Sequence, residues 1–338
     1  MLEEVRRIAD EILFPKATAR DREGVLISRS ELEPLASAGV FGCYVPRRWG
    51  GLEWTEETAR ELYAVLAGGC AATAFVWMQH QSLARKLTTS PNTTLAAAVL
   101  PDLAAGRLIA GDVNYLRRVP PAVRAHRDGD GFRLDGHAPW VASWGIADLY
   151  LVAAVDDEDI ARYFAVRADA PGLHAAQQLE ILAVRTSGCV RLHLDGVRVE
   201  EDQLVESLPW IDWRARDVRR RAQPMPPVFG IAERALRLLE GFGYDEATAA
   251  LTAELADCKA YAWGLPDEAI EEQLAARGRS HELALRITGA LVAAGGGRSV
   301  QLENDAQRLL REAAFFSIQS QSEPVRAATM QAFTAVRR

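Results

Sequence analysis

The spacing of apolar residues changes twice along this sequence, and this change limits the possible folds more than any other feature. Before about residue 107 and after about Trp213, apolar side chains recur at helical intervals. Between these stretches the interval is two, as where Val190, Leu192 and Leu194 alternate with polar residues. An interval of 3.6 is typical of an amphipathic helix, and an interval of two is typical of a half-buried strand. The order of structure is therefore predicted to be helices, then strands, then helices.

This order predicts an α+β protein with three domains. Residues 1–107 are predicted to form an N-terminal helical domain, and residues 108–205 a middle antiparallel β-barrel, because short strands alternate with turn signals. Residues 206–338 are predicted to form a C-terminal four-helix bundle with short connections. The arginine-rich stretch 214–221 is interpreted as a linker into the bundle. A helix start is predicted at Ser30, where Glu33 completes the spacing of a capping box.

Charge and composition exclude several classes of partner. The net charge of −7 gives no reason to expect binding to nucleic acid or to an anionic membrane. No stretch reaches the roughly 18 apolar residues of a membrane span, and no signal peptide is recognised at the N-terminus. The four cysteines are far apart and are expected to be buried thiols: Cys43, Cys70, Cys189 and Cys258. These features together predict a cytoplasmic protein without a metal site.

Several short motifs occur in a fixed order along the chain. They include Trp49-Gly-Gly51, Trp140-Val-Ala-Ser143, Arg185-Thr-Ser187 and Leu310-Arg-Glu-Ala313. In this order the chain resembles the acyl-CoA dehydrogenase family over nearly its whole length. The resemblance implies the same three-part fold and FAD as cofactor. It also implies an acyl-CoA or acyl-carrier thioester as substrate, and a homodimer or homotetramer.

The resemblance also implies which residues contact FAD. Trp140 matches the tryptophan that packs at the isoalloxazine ring, although a tryptophan in the barrel core is the alternative. Ala142 stands where the family has a threonine, so the side-chain hydrogen-bond donor to the ring is lost there. Gly296 and Gly297 resemble glycines that let the backbone approach the cofactor, and a helix C-cap is compatible with this role. The residues expected at the cofactor are Asn114, Tyr115, Trp140, Val141, Ala142, Ser143, Gly296 and Gly297.

The catalytic glutamate of the family has no counterpart in this sequence. Alignment on Arg311-Glu-Ala313 places Ser320 at its position. The alternative base position, on the first bundle helix, is occupied by Arg220. A serine without an activating base cannot remove a proton next to a carbonyl. If the base has been misplaced, Glu312 and Glu323 are the first alternatives.

Three functions are therefore compatible with the sequence. The leading hypothesis is an FAD-binding oxidoreductase that acts on an acyl thioester or a similar substrate, but not by ordinary α,β-dehydrogenation. The first alternative is a flavin-dependent monooxygenase of the same fold. The second is a non-catalytic binding or assembly subunit. The identity of the substrate and of the electron acceptor does not follow from the sequence.

Overall fold

The computed structural model describes residues 1–335. Six helices come first: α1 (Leu2–Ile8), α2 (Phe14–Glu23), α3 (Arg29–Ser37), α4 (Glu56–Gly69), α5 (Ala71–Thr88) and α6 (Thr93–Ala104). Eight strands follow: β1 (Ala110–Asn114), β2 (Val123–Asp128), β3 (Gly131–Val141), β4 (Leu149–Asp156), β5 (Ile160–Arg167), β6 (Leu173–Gln178), β7 (Val190–Glu200) and β8 (Leu204–Pro209). Six more helices complete the chain: α7 (Trp210–Ala222), α8 (Pro226–Leu239), α9 (Asp245–Gly264), α10 (Ile270–Gly295), α11 (Asp305–Ile318) and α12 (Glu323–Thr334). The predicted order of helices, strands and helices is confirmed, whereas the exact domain boundaries stay a prediction.

The strands form one sheet, and its pairing corrects one part of the prediction. Its order is β6-β7-β3-β2-β4-β5-β8, with β1 beside β4. Both β1 and β2 pair with β4 in parallel, so the sheet is mixed and not wholly antiparallel. Nearly every residue of β4 is buried. A continuous apolar strand is typical of parallel pairing, because both of its faces are covered.

The C-terminal part contains the four predicted helices, α8 to α11, and two more. The stretch interpreted as a linker is helix α7, which Trp213 and Ala222 anchor by burial. The indole of Trp210 adds a hydrogen bond of 2.7 Å to the carbonyl of Leu116. These contacts lie outside the arginine-rich stretch, and they hold it in a helix against the sheet.

The start of α3 also differs from the prediction. Its capping box is formed by Ser28 and Glu31, and the Glu31 carboxylate accepts a 2.8 Å hydrogen bond from the Ser28 backbone N–H. The same spacing recurs two residues later at Ser30 and Glu33. The sequence therefore offered two equivalent starts.

One apolar core joins the first and last groups of helices. Helices α4 and α8 approach so closely that a Cβ on Gly230 would overlap the carbonyl of Ala64. Fully buried residues from both groups share this core, among them Leu66 and Phe229. This contact packs the C-terminal helices directly on the N-terminal helices. Within residues 1–335, no helix combines the length and the apolar character needed to cross a bilayer.

Candidate functional site

A chain of contacts links the ends of β1, β3 and α11. The hydroxyl of Tyr115, just after β1, donates a hydrogen bond to the backbone carbonyl of Trp140 in β3. The Trp140 ring lies 6.1 Å from the Phe315 ring of α11, centroid to centroid. Beyond the end of α11, the carbonyl of Ser320 accepts a hydrogen bond from the Arg221 guanidinium of α7.

These contacts, together with residues adjacent along the chain, form a ring that is completed by a shared carboxylate on α7. The Asp217 carboxylate lies 3.0 Å from Nε of Arg221 and 2.9 Å from Nε of Arg117. Arg117 follows Tyr115 by two residues, which returns the path to the end of β1. We call these seven residues the site ring: Tyr115, Trp140, Phe315, Ser320, Arg221, Asp217 and Arg117.

The ring exposes an aromatic surface at Trp140. The side chain is 37% exposed, although its neighbour Val141 is fully buried. The register of β3 against β7 shifts between Ala138 and Val141, and such a bulge redirects the side chain that it carries. Burial raises the pKa of Tyr115 to about 12. Its hydroxyl therefore keeps its proton at neutral pH and continues to fix the Trp140 carbonyl.

The residues after Trp140 support the site from behind. Val141 pairs with Val190 in the sheet, and Ala142 is buried in the core shared with the helices. Ser143 has a backbone φ of 67° and donates its N–H to the Ser187 carbonyl at 2.7 Å. Its hydroxyl is buried, with no hydrogen-bond partner among residues 1–335. Trp140 is thus the exposed member of this motif.

Three of the predicted cofactor residues lie away from the Trp140 face or turn from it. The Asn114 amide points towards the Tyr163 hydroxyl, 3.4 Å away. Gly296 and Gly297 are exposed at the C-terminal end of α10. Gly296 has φ 61° and ψ −149°, which only glycine adopts readily. No described contact connects these two glycines with the site ring.

The two expected base positions are both at the ring, and neither carries a carboxylate. Ser320 is a ring member with a left-handed backbone, φ 59°. Arg220, on α7, acts electrostatically on Asp112 and Asp217 and lowers the pKa of each against the larger effect of burial, which raises it. Glu312 is fixed elsewhere, because both of its oxygens accept hydrogen bonds from Arg308, at 3.0 and 2.9 Å. Within residues 1–335, no cluster of ligating side chains could hold a metal ion.

Arg277, which no sequence pattern indicated, is 1% exposed beneath the ring. Its guanidinium donates to the carbonyls of Arg221 at 2.6 Å and Gln319 at 2.9 Å, and more weakly to that of Gln223. Burial lowers its pKa to about 10, and the charge of Arg117 acts in the same direction. An arginine within a long helix gave no signal of this role. Asp112, in the middle of β1, was also missed.

Comparison with known proteins shows which protein family the chain resembles. Residues 1–107 match the model of the acyl-CoA dehydrogenase N-terminal domain. The structure superposes on a glutaryl-CoA dehydrogenase from Mycobacterium smegmatis in complex with FADH2, with a TM-score of 0.82 and 20% identity. That match covers 99% of this chain and 94% of the other. In its first 107 residues and in its fold, the chain is similar to the acyl-CoA dehydrogenase family.

Two curated relatives with different named activities are similar to this chain. An L-evernosamine nitrososynthase from Micromonospora sp. is 32% identical over 57% of this chain. A (2S)-methylsuccinyl-CoA dehydrogenase from Cereibacter sphaeroides is 24% identical over 72% of this chain. The chain spans about half the length of these relatives, 48% of each.

The residues at the ring fit the aromatic end of a flavin. The exposed face of Trp140 offers a stacking surface, because an aromatic side chain this exposed gains by covering its apolar face. The Tyr115 hydroxyl fixes the backbone behind it. The two glycines of α10 show no comparable enclosure for a nucleotide, since a Cβ on either would meet nothing within 4 Å.

Proposed function

We propose that this protein is an FAD-binding oxidoreductase that acts on an acyl thioester by a reaction other than ordinary α,β-dehydrogenation. One observation carries the proposal: the two positions at which the resemblance leads us to expect a base hold Ser320 and Arg220, and neither is a carboxylate. Removal of a proton next to a carbonyl requires a positioned base, which typically contributes about 10²- to 10⁴-fold in rate. Asp217 is a poor substitute, because it already lies against Arg117 and Arg221.

The side chains of the ring have distinct roles in this proposal. Bound FAD would supply two-electron chemistry, by accepting a hydride or, once reduced, by reacting with oxygen. Trp140 would hold one end of the flavin ring, and Tyr115 holds the Trp140 backbone in place. Arg221 fixes the Ser320 carbonyl and thereby the loop that faces the substrate. Phe315 and Trp140 exclude water from the same side.

Flavin spectra of the purified protein test the proposal. We expect visible flavin absorbance, either as purified or after addition of FAD. Saturated acyl-CoAs should bleach the wild-type flavin very slowly under anaerobic conditions, and Ser320→Glu should accelerate the bleaching. Ser322→Glu is the matched control, because it adds the same charge two residues away. Fast bleaching by the wild type would refute the loss of the base, and a colourless protein that rejects FAD would favour the non-catalytic subunit.

The monooxygenase is the second candidate, and one comparison favours it. The Micromonospora relative is a nitrososynthase by name and is 32% identical over its matched region. A reduced flavin that reacts with oxygen needs a shaped pocket and no substrate base, which agrees with Ser320. Oxygen consumption by chemically reduced flavin that depends on an added substrate would support this candidate. If no such oxygen consumption occurs and acyl-CoA bleaches the flavin, the monooxygenase is excluded.

The proposal also covers the oligomeric state of the protein and its cellular compartment. We propose a homodimer or homotetramer, because the glycines at the end of α10 are exposed and a neighbouring subunit has room to approach them. Light scattering that gives a monomer at micromolar concentration would contradict this. We also propose the cytoplasm, since the four cysteines are buried free thiols, as is usual in a reducing compartment.

A further inference from the structure

A strained turn lies behind the Trp140 motif. Val184 has a left-handed backbone, with φ 52° and ψ 30°. Within residues 1–335 it is the only β-branched residue with a positive φ, a conformation in which such a side chain crowds its own backbone. A residue in this state persists only where its surroundings hold it there, and such residues cluster at functional sites. The contacts around Val184 must therefore compensate for the cost of its conformation.

Packing and hydrogen bonds together hold Val184 in this conformation. Its side chain is 1% exposed and belongs to the core that also contains Ala142 and Ile146. Its carbonyl accepts two hydrogen bonds from Ser187, one from the backbone N–H at 3.0 Å and one from the hydroxyl at 2.7 Å. The side chain is thus anchored in the core, and the carbonyl closes the turn formed by residues 184–188.

The end of the turn binds the segment that follows β3. The carbonyl of Ser187 accepts the N–H of Ser143 at 2.7 Å, and the carbonyl of Gly188 accepts the N–H of Trp144 at 3.0 Å. The two segments are closely apposed, because a Cβ on Gly188 would lie 2.4 Å from the Trp144 carbonyl oxygen. The shape of the turn therefore determines where residues 143 and 144 lie.

Trp140 stands between two fixed points of the backbone. On one side, the Tyr115 hydroxyl binds the carbonyl of Trp140 itself. On the other side, Ser143 follows three residues later and is held by Ser187. The first contact does not involve the turn 184–188, whereas the second belongs to it. A change in the shape of the turn would therefore reorient Trp140 while Tyr115 still held its carbonyl.

We propose that Val184 is a positioning residue for Trp140. Its left-handed backbone fixes the end of β3 through Ser187 and Ser143, and thereby the orientation of the indole ring that would stack on a flavin. The buried side chain supplies the anchor, and the backbone supplies the direction of the turn. The inference rests on the proposed function, because it assumes that a flavin packs against Trp140.

Two substitutions at the same position test the inference. Val184→Ala keeps the cost of a Cβ in the left-handed region and loses the anchoring methyl groups, so the turn should relax. Val184→Gly should keep the shape of the turn, because glycine adopts this region freely. A role in core packing alone predicts the opposite order, since glycine removes more of the side chain than alanine does. Val199→Ala is the control, because it removes the same two methyl groups from a fully buried valine of β7.

Two measurements are made on each variant. Amide hydrogen exchange in the FAD-free protein follows the N–H groups of Ser143 and Trp144, which should exchange at least about 5-fold faster in Val184→Ala. Quenching of flavin fluorescence on titration with FAD gives the Kd, which should rise at least about 5-fold in the same variant. This factor corresponds to the cost of a left-handed backbone for a residue with a Cβ. In Val184→Gly and Val199→Ala, both the exchange and the Kd should stay near the wild-type values.

Each other outcome has a definite meaning. If Val184→Gly raises the Kd as much as Val184→Ala or more, packing explains both effects and the inference is overturned. If Val184→Ala does not fold, Val184→Gly decides alone, since a raised Kd refutes the inference and an unchanged Kd supports it. The expected exchange rates with an unchanged Kd in Val184→Ala also refute it, because the turn would then fix β3 without affecting the cofactor. A wild type that does not bind FAD ends the proposed function and the inference together, whereas a wild type that binds FAD with the same Kd as every variant ends the inference alone.

Discussion

The Tyr115 hydroxyl donates a hydrogen bond to the backbone carbonyl of Trp140. This bond joins the end of β1 to the strand that carries the exposed tryptophan, so the position of the Trp140 ring depends on it. Tyr115 is also covered by the guanidinium of Arg118, 5.6 Å above its ring. The phenol ring is therefore packed independently of its hydroxyl, and the hydroxyl can be removed without loss of the ring.

We expect Tyr115→Phe to weaken FAD binding while the fold is retained. Loss of one hydrogen bond costs about 1 kcal/mol, which corresponds to about a 5-fold higher Kd for FAD. Quenching of flavin fluorescence on titration measures the Kd. Tyr244→Phe, at an exposed position, serves as control and should leave the Kd unchanged. An unchanged Kd in Tyr115→Phe would mean that Trp140 does not contact the flavin.

We expect Glu312→Gln to destabilise the protein strongly. Arg308 is fully buried and binds both oxygens of Glu312, and it also contacts Asp305 and Thr18. Removal of one partner leaves a buried charge without full compensation, which costs about 3 kcal/mol or more. Urea unfolding measures the loss. Glu323→Gln, in an exposed pair with Arg326, should change the free energy of unfolding by less than about 0.5 kcal/mol. Similar effects of the two substitutions would contradict the structure.

We expect the free energy of unfolding to fall in acid because of His80. Its ring is fully buried, and Nδ1 accepts a 3.2 Å hydrogen bond from the backbone N–H of Ala110. Burial lowers the pKa of His80 to about 4. The unfolded chain binds this proton more readily than the folded protein does. The contribution of neutral His80 to the free energy of unfolding is therefore present above about pH 6.5 and is lost as the pH falls towards 4. From pH 7 to pH 5 the loss is about 2 kcal/mol for this group.

Urea unfolding at pH 7 and pH 5 measures this effect. His80→Gln keeps an acceptor for the Ala110 N–H but does not titrate, so its stability should depend less on pH than that of the wild type. His174→Gln, at an exposed histidine, should behave like the wild type. If His80→Gln retains the full pH dependence, other groups are responsible for it.

We expect Ser143→Gly to be more stable than Ser143→Ala. The left-handed backbone of Ser143 costs a residue with a Cβ about 1 kcal/mol, and glycine avoids this cost. Both substitutions remove the buried hydroxyl that has no partner among residues 1–335, so their difference isolates the backbone. Thermal unfolding compares their Tm values. A higher Tm for Ser143→Ala would contradict the assigned backbone conformation.

The sequence predicts the parts of this structure that depend on local spacing. The change of apolar period predicts the order of helices and strands, because each element buries one face of its own residues. The motif at Trp140 and the alignment of Ser320 and Arg220 follow from residue order alone. In the structure Trp140 and Ser320 belong to the site ring, and Arg220 lies on the helix that carries Asp217. Whether they bind a cofactor stays a prediction.

The parts that were missed depend on contacts between distant segments. Arg277 is buried because carbonyls near residues 221, 223 and 319 converge on it, and no local pattern records this. The helix α7 is arginine-rich on its own, and its place against the sheet depends on Trp210 and Trp213. The parallel pairing of β4 had a local signal in its continuous run of apolar residues, nearly all of which are buried. That signal identifies a covered strand but not the direction of its neighbours.

The two arginines beneath the loop after α11 bind main-chain oxygens of that loop and none of its side chains. Arg221 binds the carbonyl of Ser320, and Arg277 binds that of Gln319. Neither bond involves the side chain of residue 320, whose left-handed backbone, φ 59°, most strongly disfavours β-branched and bulky residues. A different reactive group at residue 320 therefore leaves both of these hydrogen bonds in place. For protein engineering, the same property makes residue 320 a position where new reactive groups can be installed on an unchanged frame.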